Sequence, residues 1–346
     1  MYNYLSMKKN EMKQGERKEC ETCHKEFTPG SYARHIQRKT PCSTVQIKVY
    51  SKPMIKWVGG KTQILDIIMD NFPKEMNHYH EIFLGGGSVL FALLEQVKCG
   101  SIKVSGRIHA YDLNEPLIYV YKNIQSRPQE LYDCLQKRIL EFTECGEGKV
   151  NREPHTLEEA MACKENYYYW SRRSYNQLTT DEKKDIEGSS LFLFLNKTCF
   201  RGVFRVGPNG FNVPYGHYPN PEIINREHLE EIHRLIQPVI FECCDFNTSL
   251  SRVGIGDFIY LDPPYAPETA TSFVGYTETG FSLDLHETLF KTIKSLPCNM
   301  MMSNADVSFV RNHFKEPYIL LSILCKRSIH SKNPGAKAKE VIVKNY

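Results

Sequence analysis

The stretch Asp262-Pro263-Pro264-Tyr265, directly after the apolar run Phe258-Ile259-Tyr260-Leu261, brings residue types that can do chemistry into close spacing. A β-branched and aromatic run that meets a carboxylate and two prolines predicts a strand that stops abruptly. The prolines remove two consecutive backbone donors, so the carbonyls of Asp262 and Pro263 are freed from sheet pairing and can accept hydrogen bonds. With the Asp262 carboxylate as a further acceptor and Tyr265 as a stacking platform, the segment suits a flat ring carrying an exocyclic amine. The same four residues also describe an ordinary strand end and a Pro-Pro turn, so other segments must decide.

Two of them bear on a nucleoside ligand. Glu81-Ile82-Phe83-Leu84 leads into Gly85-Gly86-Gly87 and then a helical run, Val89 to Val97. That order predicts a strand, a tight turn that lets a ligand approach the backbone, and a helix. Arg107-Ile108-His109-Ala110-Tyr111-Asp112 reads as the next strand, ending in an acid suited to ribose hydroxyls. Ile55-Lys56-Trp57-Val58-Gly59-Gly60-Lys61 precedes a helical pattern from Thr62 to Phe72, which puts Lys61 where a strand turns into a helix. A lysine there can meet a ligand carboxylate; a surface lysine beside a buried Trp gives the same letters.

Taken in order, WVGGK, FLGGGS, NKTCFRGVFRVGPNGFNVPYG and DPPY resemble the Dam-type DNA adenine-N6 methyltransferases, in the motif order called the α group. The resemblance runs from about Lys56 to the C-terminus and takes in Tyr169 to Asn176 and Lys326-Arg327-Ser328-Ile329-His330-Ser331. It implies an α/β, Rossmann-like core dependent on S-adenosylmethionine, with a helical and β-hairpin insertion for DNA recognition and no catalytic metal. By similarity Trp57, Lys61, Phe83, Gly85, Gly86, Gly87, Asp112 and Asp262 contact the cofactor, and Asp262, Pro263, Pro264 and Tyr265 form the catalytic segment. The implied reaction is direct methyl transfer to adenine N6 of a base flipped out of duplex DNA. A degenerate core kept as a DNA- or partner-binding module, and a methyltransferase acting on RNA, are the alternatives.

Recognition of sequence is expected in Asn196 to Tyr218, where Gly207-Pro208-Asn209-Gly210 reads as a hairpin tip between aromatic and basic arms. The resemblance matches Phe200 to an aromatic that fills the gap left by the flipped base, and Val203 and Arg205 to base-reading positions. With Arg201 and Asn209 these form the expected DNA-binding set. Arg201 replaces the asparagine common there in GATC enzymes, which leaves GATC and CATG both open as target palindromes. Double-stranded DNA is the expected partner, and a cognate restriction endonuclease acting on the same site is a possible second one.

The elements that carry these motifs fit a chain of 346 residues, 41% hydrophobic and 24% charged, enough for one large domain and an appended small one. No run of 18 apolar residues occurs and the start is polar, so a soluble intracellular protein without a membrane association is expected. Twelve scattered cysteines read as reduced thiols. Of the net charge of +4, residues 1–52 hold eleven Lys/Arg against five Glu, a balance of +6, which leaves −2 for the rest.

The expected organisation is a disordered basic start over 1–19, a CCHC-type zinc finger over 20–42, a linker over 43–52 and the catalytic domain over 53–346. Residues 115–218 form its insertion and target-recognition region, with helices over Pro128 to Phe142 and Leu157 to Leu178. In the finger, Cys20, Cys23, His35 and Cys42 have the spacing of a tetrahedral structural zinc site, Phe27 would fill its small core, and His24 competes as a ligand. Metal analysis of the purified full-length chain is expected to find about one zinc per chain; a metal-free preparation that keeps its fold contradicts the finger.

Overall fold

Phe258–Leu261 forms a strand buried at every position, as a run of four consecutive apolar residues requires when both faces of a parallel sheet are covered. It is the centre of a seven-stranded sheet in the computed structural model, which describes residues 17–21, 26–38, 50–267, 281–326 and 337–346. The chain divides into two units, Met1–Val49 and Tyr50–Tyr346.

In the larger unit the sheet strands are β1 (Tyr79–Glu81), β2 (Ile108–Asp112), β3 (Val239–Cys243), β4 (Phe258–Leu261), β5 (Asn299–Ala305), β6 (Ile319–Lys326) and β7 (Lys337–Lys344), in the order β6-β7-β5-β4-β1-β2-β3. The strands β3, β2, β1, β4 and β5 run parallel, and β7 pairs antiparallel with both β5 and β6. Chain order reverses between β1 and β4, and in open α/β sheets the crevice at such a reversal, outside the carboxyl ends of the strands, is where ligands bind. The glycine turn after β1 and Asp262 after β4 both lie at that edge.

The α/β core agrees with the expected fold, with local differences. The helix expected over Thr62 to Phe72 is confined to Leu65–Asp70, and no strand precedes Lys61: residues 50–60 are loop and turn. The first turn is diverted because the Lys61 carbonyl accepts from Ile64 N at 2.9 Å while the Lys61 backbone N–H donates to Ser88 Oγ at 3.2 Å. The helical pattern from Leu157 to Leu178 is two helices, Leu157–Met161 and Lys164–Gln177, broken at an extended Cys163. The carbonyls of Met161 and Ala162 accept from Gly146 N and Gly148 N instead of continuing the helix. Tyr167, Tyr168 and Tyr169 of the second helix are buried in the core.

In the smaller unit, Lys18–Glu19 pairs antiparallel with Glu26–Phe27 and the helix Pro29–Ile36 follows. Cys20 and His35 are buried, and the Phe27 ring stacks on His35 at 4.2 Å. Cys23, His24 and Cys42 lie outside the described residues. Among the described residues no group of three or more His, Cys, Asp or Glu side chains gathers as a metal site, so the expected zinc finger is not shown.

Within the sheet, His80 of β1 lies opposite His109 of β2, their rings stacked at 4.9 Å. His80 is enclosed, and its Nε2 lies 3.4 Å from Asp257. Burial, and secondarily the neighbouring His109, lower its pKa to about 4 against the pull of Asp257. A histidine held below its unfolded value stabilises the fold fully above about pH 6.5, and that contribution is lost as pH falls toward 4. His80→Gln should therefore flatten the decline of the melting temperature between pH 6.5 and 5, a contribution of about 2 kcal/mol at most over that window. Glu81, raised to about 8 chiefly by burial, acts in the opposite sense but is common to both proteins. Parallel melting curves for the two would contradict the assignment.

Candidate active site

At the end of β4, the loop from Asp262 to Ala266 is fixed from three directions. Tyr265 donates its hydroxyl to Glu340 Oε2 at 2.7 Å, Ala266 N donates to Asn304 Oδ1 at 3.0 Å, and His286 Nε2 lies 2.9 Å from the Pro264 carbonyl. Lys61 reaches the loop from a point 201 residues away, its Nζ 2.5 Å from Asp262 Oδ2. The same ammonium donates to the Gly59 carbonyl at 2.6 Å and sits 5.0 Å from the Tyr265 ring centre. Lys61 is thus a buried residue with a fixed carboxylate partner. The alternative of a surface lysine does not hold, and the carboxylate that Lys61 meets in this structure is the protein's own Asp262.

The other oxygen of Asp262, Oδ1, is buried and has no hydrogen-bond partner among the described residues. An unsatisfied carboxylate oxygen inside a protein costs roughly 1–3 kcal/mol or more, and in a site at the sheet's crevice it is an acceptor held ready for a donor. Burial pushes the Asp262 pKa up to about 6, Lys61 opposes it, and Glu340 adds to it. Beneath lies Glu81, whose carboxyl accepts from Tyr79 OH at 2.7 Å and titrates at about 8, so it is mostly protonated at neutral pH.

The glycine turn is left-handed at Gly85 (φ +50°) and Gly87 (φ +74°). A β-carbon at Gly85 would stand 2.8 Å from Trp57 Cδ1, and one at Gly86 3.1 Å from Trp57 Cβ. The space the glycines leave is used first by Trp57, which also stacks with Phe192 at 6.4 Å and Phe204 at 6.0 Å. Asp112 holds the turn: Gly85 N donates to its Oδ2 and Asn114 N to its Oδ1, both at 2.9 Å. Its burial raises its pKa while these backbone donors lower it. Each oxygen keeps a second lone pair, so the acid expected to serve ribose hydroxyls is also the staple of the turn. Phe83, Phe246 and Phe281 form a triangle of rings 5.9–6.3 Å apart on this side. Phe246, Phe281, His286, Asn304 and Glu340 were not marked by the sequence motifs; only Asp245, an N-cap accepting from Asn247 N and Thr248 N, left a local signal beside Phe246.

The expected recognition segment leaves the helix Ile186–Thr198. Asn196 ties it to the Trp57 loop, exchanging hydrogen bonds of 2.8 Å with both Lys56 N and Lys56 O. Val206–Gly207 pairs with Gly210–Phe211 around Pro208 and Asn209, giving the expected hairpin. Phe200 is 49% exposed, and Arg201, Arg205 and Asn209 are exposed as well. Val203 is half-buried against the core. Arg205 Nε donates to Asn212 Oδ1 at 2.6 Å. Arg201 adopts φ +56°, a region that favours Gly and Asn over Arg, and its N–H donates to Tyr218 OH at 2.9 Å.

The seven-stranded α/β sheet places an acidic, proline-terminated strand end and a glycine turn side by side at its switch point, the position at which open α/β enzymes bind ligands. Residues 57–330 match the family of D12 class N6 adenine-specific DNA methyltransferases, and the chain belongs to that family: it is an adenine-specific DNA methyltransferase. It is 34% identical over 310 residues to the type II methyltransferase M.MjaIII of Methanocaldococcus jannaschii, covering 85% of this chain and 99% of that one. It is 30% identical over 307 residues to the type II methyltransferase M1.LlaDCHI of Lactococcus lactis subsp. cremoris, covering 86% and 97%. The DNA adenine methylase of Haemophilus influenzae is 29% identical over 307 residues, covering 85% and 94%. Among the described residues no helix is long and apolar enough to cross a membrane.

If Asp262 acts as an ionised acceptor, kcat/KM should fall on the acid side with a pKa near 6, because that profile reports the free enzyme. Lys61→Met removes the cation that opposes the rise, so the limb should move to higher pH. A limb that stays in place assigns the titration to another group.

Proposed function

We propose that the enzyme transfers a methyl group from S-adenosylmethionine to adenine N6 within a short palindrome of duplex DNA, GATC or CATG, after flipping the target base out of the helix. The observation that carries this reading is the buried Oδ1 of Asp262, unpartnered among the described residues, beside a tyrosine ring. An exocyclic amine is the donor such an oxygen lacks, and an adenine inside a duplex cannot bring its amine there without leaving the stack.

Trp57, Lys61, Phe83, Gly85, Gly86, Gly87, Asp112 and Asp262 would hold S-adenosylmethionine, which supplies an electrophilic methyl group when bound. The residues suit a cationic nucleoside: Lys61 is neutralised by Asp262 at 2.5 Å, so its charge does not repel a sulfonium, and the Phe83, Phe246 and Phe281 rings offer apolar faces. Asp262 accepts a hydrogen bond from the amine, which draws the nitrogen lone pair out of conjugation and makes it more nucleophilic, and the same oxygen takes up the proton that the nitrogen sheds once it is methylated. Tyr265 carries Lys61 over one face of its ring and offers the other to the base. Catalysis then rests on orientation and on fixed acceptors, with no strong base required.

On the DNA side, Phe200 fills the gap left by the flipped base, and Arg205 leaves Asn212 to pair with a guanine edge in the major groove. Arg201, Val203 and Asn209 complete the reading surface. A restriction endonuclease for the same site is the partner that the type II relatives suggest. A structural zinc on Cys20, Cys23, His35 and Cys42 stays within the proposal, supported by the burial of both Cys20 and His35 in so small a unit.

Single-molecule sequencing of unmethylated plasmid incubated with the enzyme and S-adenosylmethionine should show N6-methyladenine confined to one palindrome. Arg205→Ala is expected to relax one position of it by about 1–3 kcal/mol. Methylation scattered over unrelated adenines, or none in duplex DNA, contradicts the reading.

A further inference from the structure

Glu340 lies in β7, outside every segment marked by the motifs and 75 residues beyond Tyr265, yet the sheet register brings it to the catalytic loop. Met302 of β5 pairs with Leu261, the last residue of β4, and on its other side with Val343 of β7. Because β7 is antiparallel, Glu340 pairs with Ala305 at the end of β5, beyond the end of β4 and level with the loop that begins at Asp262. A glutamate is a poor strand former, and this one is followed by the buried run Val341, Ile342 and Val343. Its carboxylate accepts from the Tyr265 hydroxyl at 2.7 Å.

We propose that Glu340 is a positioning residue for methyl transfer: through the Tyr265 hydroxyl it fixes the plane of the ring on which the target adenine stacks. The inference rests on the proposed stacking role of Tyr265. A tyrosine at the tip of a proline loop can turn about both side-chain torsions. Lys61 over the ring face, 5.0 Å from its centre, limits tilt but leaves sliding and rotation in the plane. A hydrogen bond at the far end of the ring removes them. Its loss therefore acts on the alignment of amine and methyl donor more than on the affinity for either substrate, which is the signature that separates positioning from fold support.

The test is steady-state methylation of a duplex carrying the target site by the full-length chain and its variants, with melting temperatures measured alongside. Glu340→Ala should lower kcat about 10- to 100-fold while KM for DNA and for S-adenosylmethionine changes by less than about threefold. Glu340→Gln keeps an acceptor for the tyrosine hydroxyl and should recover most of the lost kcat. Tyr265→Phe keeps the ring without the hydroxyl and should match Glu340→Ala, and the double variant should be no slower than either alone. Glu340→Ala with kcat within about twofold of the parent, or losses that multiply in the double variant, would overturn the proposal. Should Glu340→Ala fail to fold, Tyr265→Phe reads the same bond, and an unchanged kcat there overturns it equally. Asp262→Ala in the same assay separates the two levels: its retained activity would remove the proposed site itself, whereas its inactivity beside a fully active Glu340→Ala would remove this inference alone.

Discussion

The buried contact between Lys61 and Asp262 is the interaction on which the rest of the site depends. It closes a gap of 201 residues at 2.5 Å, and each partner is fixed by other bonds: Lys61 by the Gly59 carbonyl and Ser88 Oγ, Asp262 by the end of a fully buried strand. Taking two charges out of water costs several kcal/mol per ion, which their attraction repays only in good geometry. Here one carboxylate oxygen is satisfied and, among the described residues, the other is not. That asymmetry leaves an acceptor in a dry place, where an added donor gains more than it would in water.

Around this pair the protein uses each group for more than one task. Asp112 staples the glycine turn through two backbone N–H groups and retains lone pairs for a ligand. Trp57 fills the hollow left by Gly85 and Gly86 and reaches the insertion through Phe192 and Phe204, while Asn196 binds the adjoining backbone at Lys56. The glycine turn and the segment that follows the helix Ile186–Thr198 are therefore linked by packed and hydrogen-bonded residues. The conformation of Arg201, left-handed where an asparagine would be at ease, shows that the segment's backbone is imposed by its surroundings rather than by local preference.

Much of this was legible in the sequence, for physical reasons that differ by segment. Phe258–Leu261 is a strand because four consecutive apolar residues before two prolines have few other options, and Gly85-Gly86-Gly87 is a turn because its two left-handed positions tolerate little else. Lys61 was identified but its partner was not, since no local pattern encodes a contact made by the sheet's closure. Glu340, His286 and Asn304 were invisible for the same reason: they act on the loop from strands and a helix placed by topology. The break at Cys163 escaped because apolar spacing continues through it, while the competing donors Gly146 and Gly148 lie in another segment. For the smaller unit the cysteine spacing is informative, but two of its four expected zinc ligands lie outside the described residues.

The claim that the Lys61 and Asp262 pair organises the site is tested most directly by a stability cycle: melting of the parent, Lys61→Met, Asp262→Asn and the double variant, at neutral pH without ligands. Removing one partner of a buried pair leaves the other uncompensated, a loss of roughly 3–5 kcal/mol. Each single variant should therefore melt well below the parent, and the double variant should recover much of the loss. Single losses that simply add in the double variant, or single variants as stable as the parent, would contradict the account.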